Sequence, residues 1–147
     1  MAMPTIVDLR SVLIEGLLAE NQDMDQQVQV EHFALRYVPT VMSGDFVNIG
    51  LVMVAVDSKD FAEARFLKDW TPVLRLDPNA DLDFLNAIAR EISEKIRDRE
   101  KRKHIVQQIK DSFSNNLQIS EPQVSLADDP LAQFERLSTQ YLSGADA

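Results

Sequence analysis

Apolar residues recur at helical spacing in three stretches of the chain, and between them they crowd into short β-branched and aromatic runs. From Thr5 to Glu20, Ile6, Leu9, Leu13 and Leu17 repeat once per turn with Val7, Ile14 and Leu18 beside them, and Thr5 suits an N-cap. This pattern predicts an amphipathic helix. The polar run from Asn21 to Gln27 carries no apolar period and reads as a linker, so residues 1–27 form a candidate appendage to a domain at 28–147.

Val30 to Val38 and Phe46 to Val56 have the composition of strands, with Pro39, Ser43 and Gly44 in the long loop between them. Phe61 to Leu67 follows a polar connection and predicts a third strand of a meander. Trp70 to Leu76, which contains Pro72, fits no single pattern. Asp77-Pro78 then opens a helix whose stripe is Leu85, Ile88, Ile92 and Ile96. The stripe lapses from Arg97 to His104 and resumes at Ile105, Ile109 and Phe113. An unbroken helix from Asp81 to Phe113 would run about 50 Å, too long for a domain of this size, so a break or a hairpin of helices is predicted. Leu117 to Ser120 and Val124 to Leu126 read as short strands around Pro122. A last helix starts at Asp129-Pro130, with Leu131, Phe134, Leu137 and Tyr141 on one face. The fold class that follows is α+β, a single domain with an antiparallel sheet of three to five strands packed against two to four helices.

Composition narrows the chemistry. With 147 residues and 45% hydrophobic content the chain is long enough to bury a core unaided. It has no cysteine and two histidines, which leaves no disulfide, no thiolate nucleophile and little for a metal site, so neither metal nor cofactor is expected. No segment approaches the roughly 20 apolar residues of a membrane span and no export signal is visible, so a cytoplasmic protein without a membrane partner is expected.

The net charge of −9 disfavours a general polyanion binder, but the charge is uneven. Six basic and two acidic residues between Arg97 and Lys110 give +4 there and leave −13 for the rest. Arg97, Arg99, Lys101, Arg102 and Lys103 are therefore candidates for a docking patch on nucleic acid or an acidic protein. The stretch lacks the aromatic residues that stack on bases, and charge runs usually do no more than keep a helix face in water.

The hairpin offers a second candidate. If Val38 pairs with Phe46, then Arg36 stands opposite Asn48, Ala34 opposite Gly50 and His32 opposite Val52. Pairing Val56 with Phe61 adds Glu63 opposite Val54 and Arg65 opposite Val52. Phe33, Leu35, Tyr37, Val47, Ile49, Leu51, Met53 and Phe66 then share the core face. His32, Arg36, Asn48, Glu63 and Arg65 surround a notch at Ala34 and Gly50 on the other face. The Arg fork and the Asn amide suit a carboxylate, phosphate or peptide group, although a sheet face of mixed polar residues is most often only solvated.

Other patterns fail. Asp77, Asn79, Asp81 and Asp83 imitate the start of a calcium loop, but Leu82 sits where glycine is needed and Ile88 where the closing glutamate is needed, so helix capping accounts for the acids. Asp45 and the Asp57-x-Lys59 pair lie at opposite ends of one strand, about 40 Å apart, too far to share a metal. No phosphate loop, G-x-S-x-G or H-E-x-x-H arrangement occurs.

The strings F-A-L-R-Y-V-P at 33–39 and G-D-F-V-N-I-G-L-V at 44–52 resemble the opening signature of a bacterial family known as domain of unknown function 3037. The resemblance continues through A-R-F-L-K-D-W at 64–70, L-D-P-N-A-D-L-D at 76–83, S-F-S-N-N-L-Q-I-S at 112–120 and D-D-P-L-A-Q-F-E-R-L at 128–137, covering about Glu31 to Leu142. It implies a fold unit but transfers no catalytic or binding residue, and Thr5 to Glu20 lies outside it. A kinase-like protein of the toxin type is the partner it hints at.

Together these readings favour a non-enzymatic protein-binding or accessory module that uses the N-terminal helix, the polar sheet face or the basic segment. A small ligand-binding protein or enzyme built on Arg36 and Asn48, with His32, Arg65 and Glu63, is the first alternative. A nucleic-acid-associated factor working through Arg97 to Lys110 is the second.

Overall fold

The computed structural model describes residues 27–40, 44–56, 60–111 and 116–142. The helix expected at Thr5 to Glu20 and most of its linker lie outside the described residues, as does Phe113. The elements are β1 (Val28–Tyr37), β2 (Val47–Ala55), β3 (Ala62–Phe66), α1 (Thr71–Leu76), α2 (Leu82–Ile96), α3 (Arg99–Asp111), β4 (Leu117–Ile119), β5 (Gln123–Ala127) and α4 (Pro130–Leu142). Among the described residues these form a single α+β domain with a five-stranded antiparallel sheet and four helices.

The sheet runs β3-β2-β1, and β4 and β5 then lie end to end along the free edge of β1. Ser120 and Pro122 explain why that edge is two strands rather than one. At Ser120 the chain still holds β1, with its N–H donating to Ala34 O at 2.9 Å and its Oγ accepting from Ala34 N–H at 2.8 Å. Pro122, which has no N–H to give, ends the pairing until Gln123 resumes it opposite His32.

The expected hairpin register is right at Arg36 opposite Asn48 and wrong beyond it. A bulge between Leu35 and Arg36 inserts Ile49 as an extra residue, so Leu35 pairs with Gly50, Ala34 with Leu51, Phe33 with Val52 and His32 with Met53. A one-residue slip exchanges faces. Leu51 and Met53 therefore leave the face of Phe33, and Val52 and Val54 take their places. The β2–β3 register is also one residue from that expected: Glu63 faces Met53 and Arg65 faces Leu51, rather than Val54 and Val52.

Both faces of the sheet consequently carry apolar residues, and each packs against helices over part of its area. On one side α1, α2 and α3 bury Phe33, Leu35, Ile49, Val52 and Val54 against Val73, Leu85, Ile92, Ile96, Ile105 and Ile109. On the other side α4 lays Phe134 over Val30, Leu51 and Met53. The face expected to sit in water is thus the floor of a second, smaller core.

Local chemistry sets the helix ends. Trp70 to Leu76, ambiguous by pattern, forms α1, with Pro72 in its first turn and Thr71 N–H donating to Asp69 Oδ1 at 2.8 Å. The next helix opens at Leu82 rather than at Pro78, because Asp81 caps it by accepting from Phe84 N–H at 3.0 Å. The expected break falls at Arg97-Asp98, where Asp98 Oδ1 accepts from Glu100 N–H at 2.9 Å and starts α3. Asp129 Oδ1 caps α4 through Ala132 N–H at 3.2 Å.

Candidate functional site

The five residues read from the hairpin do not converge on one open notch. Arg36 and Asn48 are paired across β1 and β2, and His32 lies further along the same face. His32 and Asn48 meet the C-terminal half of α4 at Tyr141. Asn48 Nδ2 donates to Tyr141 O at 3.2 Å, and the His32 ring meets the Tyr141 ring edge-on with centroids 6.0 Å apart. The Arg36 guanidinium stacks on Phe46 at 4.3 Å from the ring centroid. Arg65 is held elsewhere, in a two-pronged ion pair with Glu135 at 2.5 Å on each arm and 5.2 Å above the Phe134 ring. Glu63 stands at the β3 edge with Arg97 Nη2 at 3.9 Å.

Several buried polar atoms have no hydrogen-bond partner among the described residues: both ring nitrogens of His32, Arg36 Nε, Asn48 Oδ1 and Ser138 Oγ. Burial lowers the His32 pKa below its ordinary 6.5, which keeps the ring neutral. Arg65 holds the Glu135 carboxyl below its usual range through the hydrogen-bonded pair, and Glu135 raises Arg65 in turn. Ser138 also lines a cavity of about 350 Å³ at the end of α4, with Arg65, Leu67, Lys68, Thr139 and Leu142 around it. Ser138 and Glu135 were not legible as site residues. The one sequence signal was the stripe ending at Tyr141, which showed that α4 needed a face to cover without saying which.

The basic segment divides into two roles. Arg102 is structural: its Nε donates to Ile96 O at 2.7 Å, closing the end of α2, and its Nη1 donates to Asp60 Oδ1 at 2.7 Å. That hydrogen bond is the main reason Asp60 titrates below the usual carboxylate range. Lys101 is exposed and lies 3.9 Å from Asp98. Arg97 and Arg99 are open, each with 71% of its side chain exposed. Arg99 and Lys103, with Lys110 further along α3, line a cleft of about 490 Å³ between α3 and one end of the sheet, whose floor includes Val54, Val56 and Val106. Lys110 forms an ion pair with Glu31 there.

Next to this cleft the sheet runs out from under α3. Register places Val54, Glu31 and Val124 in one row and Gln29 and Leu126 in the next, where Val56 N–H donates to Gln29 O. Val54 is buried, but Val56 is 50%, Val124 53% and Leu126 58% exposed. Three large apolar side chains thus stand open on adjacent rows, with a basic helix along one side. Sequence reading had Val124 and Leu126 as strand residues and could not tell that their shared face was uncovered, because that depends on where α3 stops.

The calcium-like acids are engaged locally. Asp77 Oδ2 accepts from Tyr37 O–H at 2.6 Å, its Oδ1 accepts from Asn79 N–H at 3.0 Å, and Asp81 caps α2. Among the described residues no helix is long and apolar enough to cross a membrane.

Comparison with known proteins returns one family. The sequence model of a family described as a protein of unknown function (DUF3037) matches residues 33–142. No curated protein and no solved structure matches the chain.

Proposed function

The chain belongs to the DUF3037 family, whose activity is uncharacterised, and we propose that it serves in the bacterial cytoplasm as a non-enzymatic protein-binding module. The observation that carries this reading is the open apolar surface of Val56, Val124 and Leu126 beside the cleft whose exposed basic rim is Arg99 and Lys103. Single exposed apolar residues are ordinary. Three on adjacent rows of one sheet face, with only the polar Gln29 and Glu31 of β1 between them and charge along the border, resemble the mixed composition of an interface. The partner that fits is an amphipathic segment with an apolar stripe and acidic flanks, and a kinase-like protein of the toxin type is the first candidate to test.

A photoreactive residue in place of Leu126, with a control in place of the exposed Glu94, tests the reading in the native host. One protein captured from position 126 and not from position 94 is expected. Capture of nothing, or of the same mixture from both positions, overturns it.

A second reading, a binder of a small polar molecule, draws on the partnerless atoms of His32, Asn48 and Ser138. Native mass spectrometry of protein purified from its host tests it, and a chain carrying only its own mass counts against it. The nucleic-acid reading draws less support, because Arg102 and Lys110 are engaged by Asp60 and Glu31.

A further inference from the structure

Among the described residues β5 pairs only with β1, and its other edge is open. Val56 N–H donates to Gln29 O, so the backbone of Gln29 turns toward β2, and Leu126 across from it turns its own N–H and C=O away from β1. The same alternation turns the backbone of Val124 outward, while Ser125, paired with Val30, bonds inward. We infer that two copies of this chain join along β5, antiparallel about a two-fold axis at Ser125, so that their sheets become one. The inference goes beyond the docking role above. It uses the backbone edge of β5 and leaves the side chains of Val56, Val124 and Leu126 on the open face of the joined sheet.

The edge matches itself. In this register Val124 of one copy faces Leu126 of the other, and each such pair, with its backbone groups turned outward, exchanges both N–H···O bonds. The facing side chains are a β-branched residue and a leucine, a favourable cross-strand pair. Sheet edges that must stay apart carry charge, proline or a bulge. Between Gln123 and Ala127 the sequence Q-V-S-L-A has no charge and no proline, and its pairing with β1 runs without a bulge. The opposite edge, β3, carries Glu63 and Arg65. A strand from another protein would use the same backbone groups, but a second copy is favoured because this uncharged stretch is complementary to itself about Ser125. Its ends set the limit: Pro122 has no N–H to offer, and Glu121 would meet Asp129 of the copy. A seam this short falls at the small end of protein interfaces, so the association is weak and concentration-dependent. Each chain carries a net charge of −9, so added salt strengthens it.

Sedimentation of the full chain over a range of concentrations is expected to shift from 16.6 kDa toward twice that mass. Amide exchange at Val124 and Leu126 should slow as the dimer fills, with Ser125 protected throughout. Val124→Pro removes only an outward N–H, so it should abolish the dimer and leave Ser125 protected. Leu126→Lys, which sets a charge at the seam without altering the backbone, should weaken the dimer as well. The chain has no native cysteine, so Ser125→Cys tests the register. Two copies meet there as a non-hydrogen-bonded pair about 4.5 Å apart at Cα, within disulfide range, and oxidation should link them. Val124→Cys, whose copies stand two positions apart along the seam, should not link. A single 16.6 kDa species at every concentration overturns the inference. So does a dimer that survives Val124→Pro, or equal linking from both cysteine variants.

Photocrosslinking from position 126 separates this inference from the docking role. A product of twice the chain's own mass that disappears with Val124→Pro reports the second copy. A product containing another protein that persists with Val124→Pro reports the docking partner. Absence of the first alone removes the dimer and leaves the docking role, and absence of the second alone does the reverse.

Discussion

The ring of Phe66 lies so close over Gly50 that a β-carbon there would stand 2.7 Å from both Cδ1 and Cε1 of the ring. Gly50 and Phe66 are paired across β2 and β3, directly beside the bulge that inserts Ile49. The missing side chain lets the aromatic ring take its place in the larger core. Gly50→Ala should therefore destabilise the fold by about 1–3 kcal/mol in denaturant titration, the usual range for overpacking. Phe66→Leu in the same chain should recover part of that loss, a coupling that a double-mutant cycle reads directly.

That contact also marks the limit of what the residues alone revealed. Strand composition, the helical stripes and the lapse at Arg97 were legible because each depends on local spacing, although α1 and the start of α2 at Leu82 were not. The bulge was not. It sits beside the close approach of Phe66 to Gly50, a contact between residues sixteen positions apart that no period encodes. Once Ile49 is inserted, Leu51 and Met53 change faces, and a polar face with a notch becomes the floor of a core beneath α4. Arg36 and Asn48 were correctly set opposite one another, but their surroundings depended on that register and on a helix more than eighty residues downstream. The open surface at Val56, Val124 and Leu126 was hidden for the same reason.

Ser120 substitutes for a missing stretch of strand. Its Oγ is the acceptor for the buried Ala34 N–H at 2.8 Å. Removing it strands a backbone donor away from water. Ser120→Ala should cost about 1–3 kcal/mol by the ordinary penalty for an unsatisfied buried group. Hydrogen exchange at Ala34 should accelerate in the variant more than at Phe33.

Arg102 should behave unlike the other basic residues around it. Its side chain is 18% exposed and ties the end of α2 to the start of α3 through Ile96 O. Arg102→Ala should lower stability by about 1–3 kcal/mol, and Lys should not restore it, since a single ammonium cannot reach both Ile96 O and Asp60 as the planar fork does. Arg99→Ala and Lys101→Ala, at exposed positions, should stay within about 0.5 kcal/mol of the parent. Equal losses at all three positions would show that the segment acts only through its summed charge.

Tyr37 sets the alkaline limit. Burial, then its hydrogen bond to Asp77, pushes the phenol up to about 12 from 10.0. The folded pKa lies above the unfolded one, so the contribution to stability is complete below pH 10 and declines as pH rises toward 12. Tyr37→Phe should remove this alkaline decline. It should also cost about 1–2 kcal/mol at neutral pH, where the lost bond is the whole effect. A denaturation series at stepped pH values separates the two consequences.

His32 sets the opposite limit by a different route. Its ring is buried against Tyr141, and neither nitrogen has a hydrogen-bond partner among the described residues, so the charged form has nothing to compensate its lost hydration. The folded pKa is lowered from 6.5, and the unfolded chain is the better proton acceptor in the window below that value. Stability should therefore be complete above pH 6.5 and fall as acid is added, levelling off once the folded ring also protonates. The α4 side of the sheet should loosen first, because Tyr141 and its neighbours are what the charged ring would disturb. His32→Phe should flatten the profile in this window while leaving the alkaline limb of Tyr37 unchanged. An unchanged acid limb in that variant would assign the loss to the carboxylates instead. Amide exchange along α4 at pH 7 and pH 5 supplies the local reading, with faster opening at Ser138 and Tyr141 than along α2 as the expected result.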